Sequence, residues 1–135
     1  MHIQTNEQET EMTVESENAA EEIKELVEKC INCGMCRGRC PVFKVLREEV
    51  SSPRGKTLLL NQQFYDKLMF SCTLCKACEL NCPLGLKLCD AFRKSRIVLN
   101  GKKQELPGNK EMMKTIRKFG NPFGDSTDNK KLYCC

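Results

Sequence analysis

Eleven of the 135 residues are cysteine, and eight of these fall into two runs of identical spacing. Cys30, Cys33, Cys36 and Cys40, followed by Pro41, read C-x2-C-x2-C-x3-C-P. Cys72, Cys75, Cys78 and Cys82, followed by Pro83, repeat that pattern at a constant offset of 42 residues. A repeat this regular makes two equivalent sites the natural reading. The spacing is that of the bacterial-type ligand run for [4Fe–4S] clusters. Three closely placed cysteines let the backbone wrap one corner of a cubane, and the fourth reaches the other cluster of a two-cluster protein. The proline disfavours helical geometry at the cysteine before it and turns the chain away. One cluster is therefore expected on Cys30, Cys33, Cys36 and Cys82, and a second on Cys72, Cys75, Cys78 and Cys40. Gly34 and Gly38 suit a backbone that hugs such a group through unusual dihedrals. Amides there would donate to sulfur and tune its reduction potential.

Other uses of the thiols fit less well. Structural zinc takes four ligands in two pairs, and each run here overfills such a knuckle with a third and a fourth cysteine. A disulfide framework belongs to secreted chains, and the polar, acidic N-terminus has no apolar stretch that would serve as a signal peptide. Cys89 follows Cys82 in a helical pattern and reads as a small core residue. Cys134 and Cys135 read as free terminal thiols, or as ligands or redox thiols at a partner interface. His2 is read as incidental. Arg54 is either a solvated charge or a group beside a cluster or partner. The basic run Arg93, Lys94, Arg96, Lys102 and Lys103 is a solvated helix face, or a dock for an acidic redox partner. No Ser-His-Asp set, P-loop or dinucleotide glycine fingerprint is present, so no substrate site is expected in this chain.

Composition sets the frame for these residues. At roughly 100–200 residues per domain, the chain is one domain with tails. Hydrophobic residues make up 40% and aromatic residues 6%, with no tryptophan, so a large conventional core is not expected. No run approaches the 18 or so apolar residues of a membrane-spanning helix. The net charge of +4 conceals a split: residues 1–28 carry −8 and residues 29–135 carry +12. Positive charge around anionic metal–thiolate groups explains that basic body. A nucleic-acid surface would explain it as well, but the aromatic residues that stack on bases are scarce.

The elements that must position the cysteines read as helical. Residues 1–18 are expected as a disordered acidic tail. Asn18 and Glu21 have the form of a capping box, with Ile23, Leu26, Val27 and Cys30 on one stripe of a helix from about Ala19. Val42, Phe43, Val45, Leu46 and Val50 form a short amphipathic set. Ser52 and Pro53 read as the N-cap and first position of a helix carrying Leu58, Leu59 and Leu60. Phe64, Leu68 and Met69 precede the second run. Leu88, Cys89, Phe92 and Ile97 to Leu99 predict a helix stopped at Asn100-Gly101. Asn109 would cap a last helix, with Met112, Met113, Ile116 and Phe119 inward and Gly120 as its stop. No segment reads strongly as a strand. The domain is expected over residues 19–124, with a flexible tail over 125–135.

The paired runs, joined by about 30 residues that include Ser52-Pro53-Arg54-Gly55, resemble a known helical two-cluster ferredoxin domain. It occurs in heterodisulfide reductase C-type and D-type subunits, the glycolate oxidase iron–sulfur subunit, lactate-utilisation iron–sulfur proteins and the C-type component of anaerobic glycerol-3-phosphate dehydrogenase. Cys72-Thr-Leu-Cys75-Lys-Ala-Cys78-Glu-Leu-Asn-Cys82-Pro83 is similar to the second run of glycolate oxidase relatives, and Asn121-Pro122-Phe123-Gly124 to the segment that closes the domain there. The resemblance implies a mainly α, α-helical ferredoxin-like fold around two [4Fe–4S] clusters on the eight cysteines. It implies an electron-transfer subunit of a larger oxidoreductase, cytoplasmic or peripheral to the inner face of the membrane. The implied partners are a flavoprotein or iron–sulfur subunit and a CCG-module or membrane-anchored redox subunit, with no nucleic acid. The chain departs from its longer relatives at Lys131-Leu-Tyr-Cys-Cys135, where it stops as a CCG module would begin. The rival reading is a structural or nucleic-acid-binding module in which the clusters act as staples.

Overall fold

Residues 13–124 are described by the computed structural model, and they are helical without a strand. The elements are α1 (Val14–Val27), α2 (Pro41–Leu46), α3 (Pro53–Asn61), α4 (Ala77–Leu80), α5 (Leu88–Gly101) and α6 (Pro107–Phe119). Short 3-10 turns lie at Glu49–Ser51 and Lys67–Ser71. They divide into two compact units that part after Gln104.

In the first unit α1 and α5 form the principal helix pair. The buried positions of α1, Ser16, Ala19, Ile23 and Val27, recur at three to four residues and make one stripe. Those of α5, from Leu88 through Phe92 and Ser95 to Val98 and Leu99, do the same. Ser16 at the start of α1 packs on Gly101 at the end of α5, and Glu22 pairs with Lys94, so the two helices run antiparallel. Leu60 of α3 and Met69 complete the apolar centre.

The α1 contact corrects the expected helix start. The helix begins at Val14, not near Ala19, and Asn18 lies inside it. A Cβ on Gly101 would stand 2.9 Å from the Ser16 Cβ, so the two helices approach closely there. That long-range packing holds the first turn, together with the bond from Ser16 Oγ to the Thr13 carbonyl. Residues 14–18 therefore belong to a helix, and the expected tail is met by described structure at Thr13; residues 1–12, with His2, lie outside the described residues.

α3 forms as its sequence dictates. Ser52 Oγ accepts from the Gly55 N–H at 2.9 Å, and Pro53 supplies a pre-set first position. Gly55 has a tertiary reason as well: a Cβ there would lie 2.0 Å from the Glu49 carbonyl oxygen. α3 is thereby pressed against the Glu49–Ser51 turn. α2 forms where expected, with Cys40 in an extended conformation before Pro41, but it buries none of its residues, and Val45 and Leu46 are exposed.

In the second unit α6 starts at Pro107 with Leu106 at the cap position, so Asn109 lies within the first turn and does not cap it. Proline at the first position outweighs the side-chain signal. Gly120 ends the helix in a left-handed conformation, as expected. Of the four apolar positions expected inward, Met112, Met113 and Phe119 are exposed and only Ile116 is half-buried. Asn121 closes the unit by donating to the Gly124 carbonyl at 2.9 Å and accepting from the Phe123 N–H.

Candidate functional site

The two cysteine runs sit in loops whose backbones repeat one another. Asn32 and Leu74 both have φ of 55°, and two residues on Gly34 has φ of 80° and Lys76 of 61°. These pairs stand at the same 42-residue offset as the cysteines. Left-handed conformation is uncommon for leucine and lysine, so each loop is bent by the same requirement and not by its local residue types. Gly34 meets that requirement without strain. Gly38 does not share it: its backbone is not left-handed, so the unusual dihedral expected there is not found.

Each loop faces a cavity. One is lined by Cys30, Cys33, Cys36 and Cys82, with Pro83, Leu86 and Leu88 as apolar walls. The other is lined by Cys40, Cys72, Cys75 and Cys78, with Val42, Pro53 and Phe92 as walls. Three sulfurs in each come from one run and the fourth from the other run. The cavities enclose about 310 and 330 Å³ of space free of protein atoms, part of it open to solvent, so they are matched in size. Among the described residues no three His, Cys, Asp or Glu side chains converge on a point that would hold a single ion. Soft thiol donors standing around a cavity fit a polynuclear iron–sulfur group, whose corners are spread in space.

The surroundings hold the thiols in place. Phe43 N–H donates to Cys40 Sγ at 3.5 Å, so Cys40 both caps α2 and enters the second cavity. Arg96 of α5 donates to the Met69 carbonyl at 3.2 Å and to the Cys72 carbonyl, which pins the start of the second loop. Glu79 of α4 accepts from the Cys89 N–H at 2.8 Å and ties that loop to the first turn of α5. The basic run is thus divided. Arg96 clamps backbone, Lys94 pairs with Glu22, and Lys102 stands over the Tyr65 ring, leaving less of it as a solvated face than expected.

Burial acts against thiolate formation while the thiols face only one another. It pushes the Cys36 thiol up to about 11, with negative charge on Cys30, Cys33 and Cys82 adding to the rise against a backbone hydrogen bond. It raises Cys78 further, helped by Cys89 and by charge on Cys72 and Cys36. Cys75 is lowered, first by the Ala77 N–H and then by the Thr73 hydroxyl. Cys33 and Cys75, equivalent in the repeat, are the exposed members of their sets.

Three further residues matter. Cys89 is buried, as expected of a core thiol, but its Sγ also lies 3.9 Å from Cys78 Sγ on the wall of the second cavity. Arg54 lines the first cavity. Lys56, 2% exposed, lines the second; burial lowers its pKa, and charge on Cys72 and Cys40 opposes that fall. Lys56 was not among the residues expected at a site, although its place two residues after Arg54 on a helix was a legible signal. All nine described cysteines are free thiols, which sets aside a disulfide framework among them; Cys134 and Cys135 lie outside the described residues.

Comparison with known proteins agrees with this chemistry. Residues 26–86 match the model of the 4Fe-4S dicluster domain. The glycolate oxidase iron-sulfur subunit of Escherichia coli K12 is 28% identical over 109 residues, which cover 73% of this chain and 27% of the relative. The C-type subunit of the ferredoxin:CoB-CoM heterodisulfide reductase of Methanosarcina mazei is 24% identical over 112 residues, covering 76% of this chain and 65% of the relative. The C-type iron-sulfur subunit of the Methanopyrus kandleri CoB–CoM heterodisulfide reductase is 29% identical over 72 residues, 52% of this chain and 38% of the relative. The chain therefore spans about a quarter of the length of the glycolate oxidase subunit and no more than about two thirds of the reductase subunits.

Proposed function

We propose that this chain, whose residues 26–86 match the model of the 4Fe-4S dicluster domain, is an electron-transfer subunit of a larger oxidoreductase. It holds two [4Fe–4S] clusters, one on Cys30, Cys33, Cys36 and Cys82 and one on Cys72, Cys75, Cys78 and Cys40. The observation that carries this reading is the pair of matched cavities, each edged by three sulfurs of one run and one of the other. Bound there, the clusters would accept and release single electrons.

The chain's own residues support a relay in three ways. The loops are fixed by left-handed residues and by the Arg96 clamp, so little reorganisation accompanies a change of charge. The apolar walls keep bulk water from most of each cavity. Cys33 and Cys75 give each cavity an exposed edge through which a donor and an acceptor are reached. Nothing in the two cavities resembles a site for an organic substrate, so oxidation or reduction of one belongs to a partner. By analogy with the relatives, that circuit is of the glycolate oxidase or heterodisulfide reductase kind, with a flavoprotein or second iron–sulfur subunit on one side. A reducing compartment such as the cytoplasm keeps the thiols available for iron. Among the described residues no helix is long and apolar enough to cross a membrane.

Anaerobic purification tests the proposal. About eight iron and eight acid-labile sulfide per chain are expected, with two reducible signals by electron paramagnetic resonance. A chain carrying two zinc and no sulfide would overturn it.

A further inference from the structure

α3 begins between the two cavities, and its first turn sends one cation to each. Successive residues of an α-helix are rotated by about 100°, so residues two apart leave the axis on nearly opposite sides. Arg54 lines the cavity of Cys30, Cys33, Cys36 and Cys82, and Lys56 lines the cavity of Cys40, Cys72, Cys75 and Cys78. Gly55 between them lets the helix start press on the Glu49 carbonyl, which fixes both side chains' points of departure.

The outer end of Arg54 is anchored. Glu49 Oε1 lies 3.7 Å from one terminal nitrogen, and Glu49 is itself held by Arg37 at 3.0 Å and by Ser52 Oγ at 3.3 Å. The inner nitrogen is different: Arg54 Nε is buried and has no hydrogen-bond partner among the described residues. A buried donor of this kind is retained when something outside the protein accepts from it. Lys56 has three ammonium donors, of which one goes to Ser71 Oγ at 2.9 Å, and the side chain is cut off from solvent.

We propose that α3 is a forked electrostatic support: Arg54 donates its Nε–H to a sulfur of one cluster, Lys56 sets its ammonium against the other, and each raises the reduction potential of its own cluster alone. The inference rests on the ligand sets proposed above. An added electron makes a cluster more negative, so a fixed cation beside it favours the reduced state. An N–H donor to sulfur acts in the same direction.

Potentiometric titration of the anaerobic holoprotein, followed by electron paramagnetic resonance, tests this on Arg54→Gln, Arg54→Lys and Lys56→Gln. Arg54→Gln is expected to lower the reduction constant of one cluster about tenfold, a midpoint lower by about 59 mV, and to leave the other cluster in place. Lys56→Gln is expected to lower the other signal by a similar factor. Arg54→Lys keeps the charge but not the Nε–H, and should recover part of the loss. If both substitutions move the same signal, or neither moves any, the fork is wrong. The Arg54 side chain is 37% exposed and its replacement leaves the core intact. It therefore decides the matter alone should Lys56→Gln empty its site: a shift confined to one signal supports the proposal, and a shift of both or of none overturns it. Iron and sulfide measured on the same samples separate the two levels. An unmetallated wild-type chain defeats the relay reading and this inference together; full loading with unmoved midpoints defeats this inference only.

Discussion

At the scale of single residues, the proposed ligand sets make opposite substitutions report on opposite loops. Cys82→Ser should empty the cavity that is edged mainly by the first run, and Cys40→Ser the cavity edged mainly by the second. Each variant should keep about half of the iron. Iron analysis with resonance spectra checks this, and loss of the cluster on the mutated run itself would refute the exchange. Cys89→Ser should leave both groups bound, since eight other thiols edge the cavities, but a hydroxyl in its buried place should cost about 1–3 kcal/mol in thermal denaturation of the holoprotein. The raised Cys36 thiol predicts a pH dependence. Its ordinary value is 9.0 and burial lifts it to about 11; on the proposed ligand sets iron would take it as thiolate, so loading would release a proton that the empty chain still holds at neutral pH. Reconstitution at fixed iron and sulfide should thus strengthen as pH rises from 7 towards 9; an unchanged affinity would count against this. The eight cysteines were legible in the sequence because their meaning lies in local spacing. The bond of Lys56 to Ser71 and the clamp made by Arg96 were not, because each depends on a partner 15 to 27 positions away.

Among the elements, α3 is the one on which both cavities lean. Gly55→Ala would set a methyl group against the Glu49 carbonyl, and backbone cannot swing aside as a side chain can. A loss of about 1–3 kcal/mol is expected from such overpacking, read as a lower melting temperature, with poorer iron retention because Arg54 and Lys56 move with the helix. Ser52→Ala removes the cap and should cost about 0.5–2 kcal/mol with a smaller effect on iron. The start of α3 and the end of α5 could be read from the sequence, since Ser-Pro and Asn-Gly act within a turn or two. The starts of α1 and α6 could not. The first is set by Ser16 meeting Gly101, a contact 85 residues distant in the chain. The second is set by Pro107 in competition with a plausible cap at Asn109. Exposed Met112, Met113 and Phe119 show how amphipathic spacing alone overstates burial.

For the molecule as a whole, the apolar centre lies under α1 and α5, while α2 buries nothing and the cysteine loops rest on the cavity walls. Stripping iron from the holoprotein with a chelator should therefore free the amides of residues 30–46 and 72–82 to exchange hydrogen quickly, and leave those of α1 and α5 protected for longer. Uniform loss of protection across all of them would show that the helix pair has no stability of its own. The crossing of sulfurs between the loops also governs the order of events during synthesis. On the proposed ligand sets, the second foursome is complete only when Cys78 has left the ribosome, 38 residues after Cys40, and the first only when Cys82 follows four residues later. At roughly 5–20 residues per second that is a delay of about two to eight seconds. During it the nascent chain offers only partial thiol sets, so maturation of either centre has to wait for both stretches and then proceed as one event.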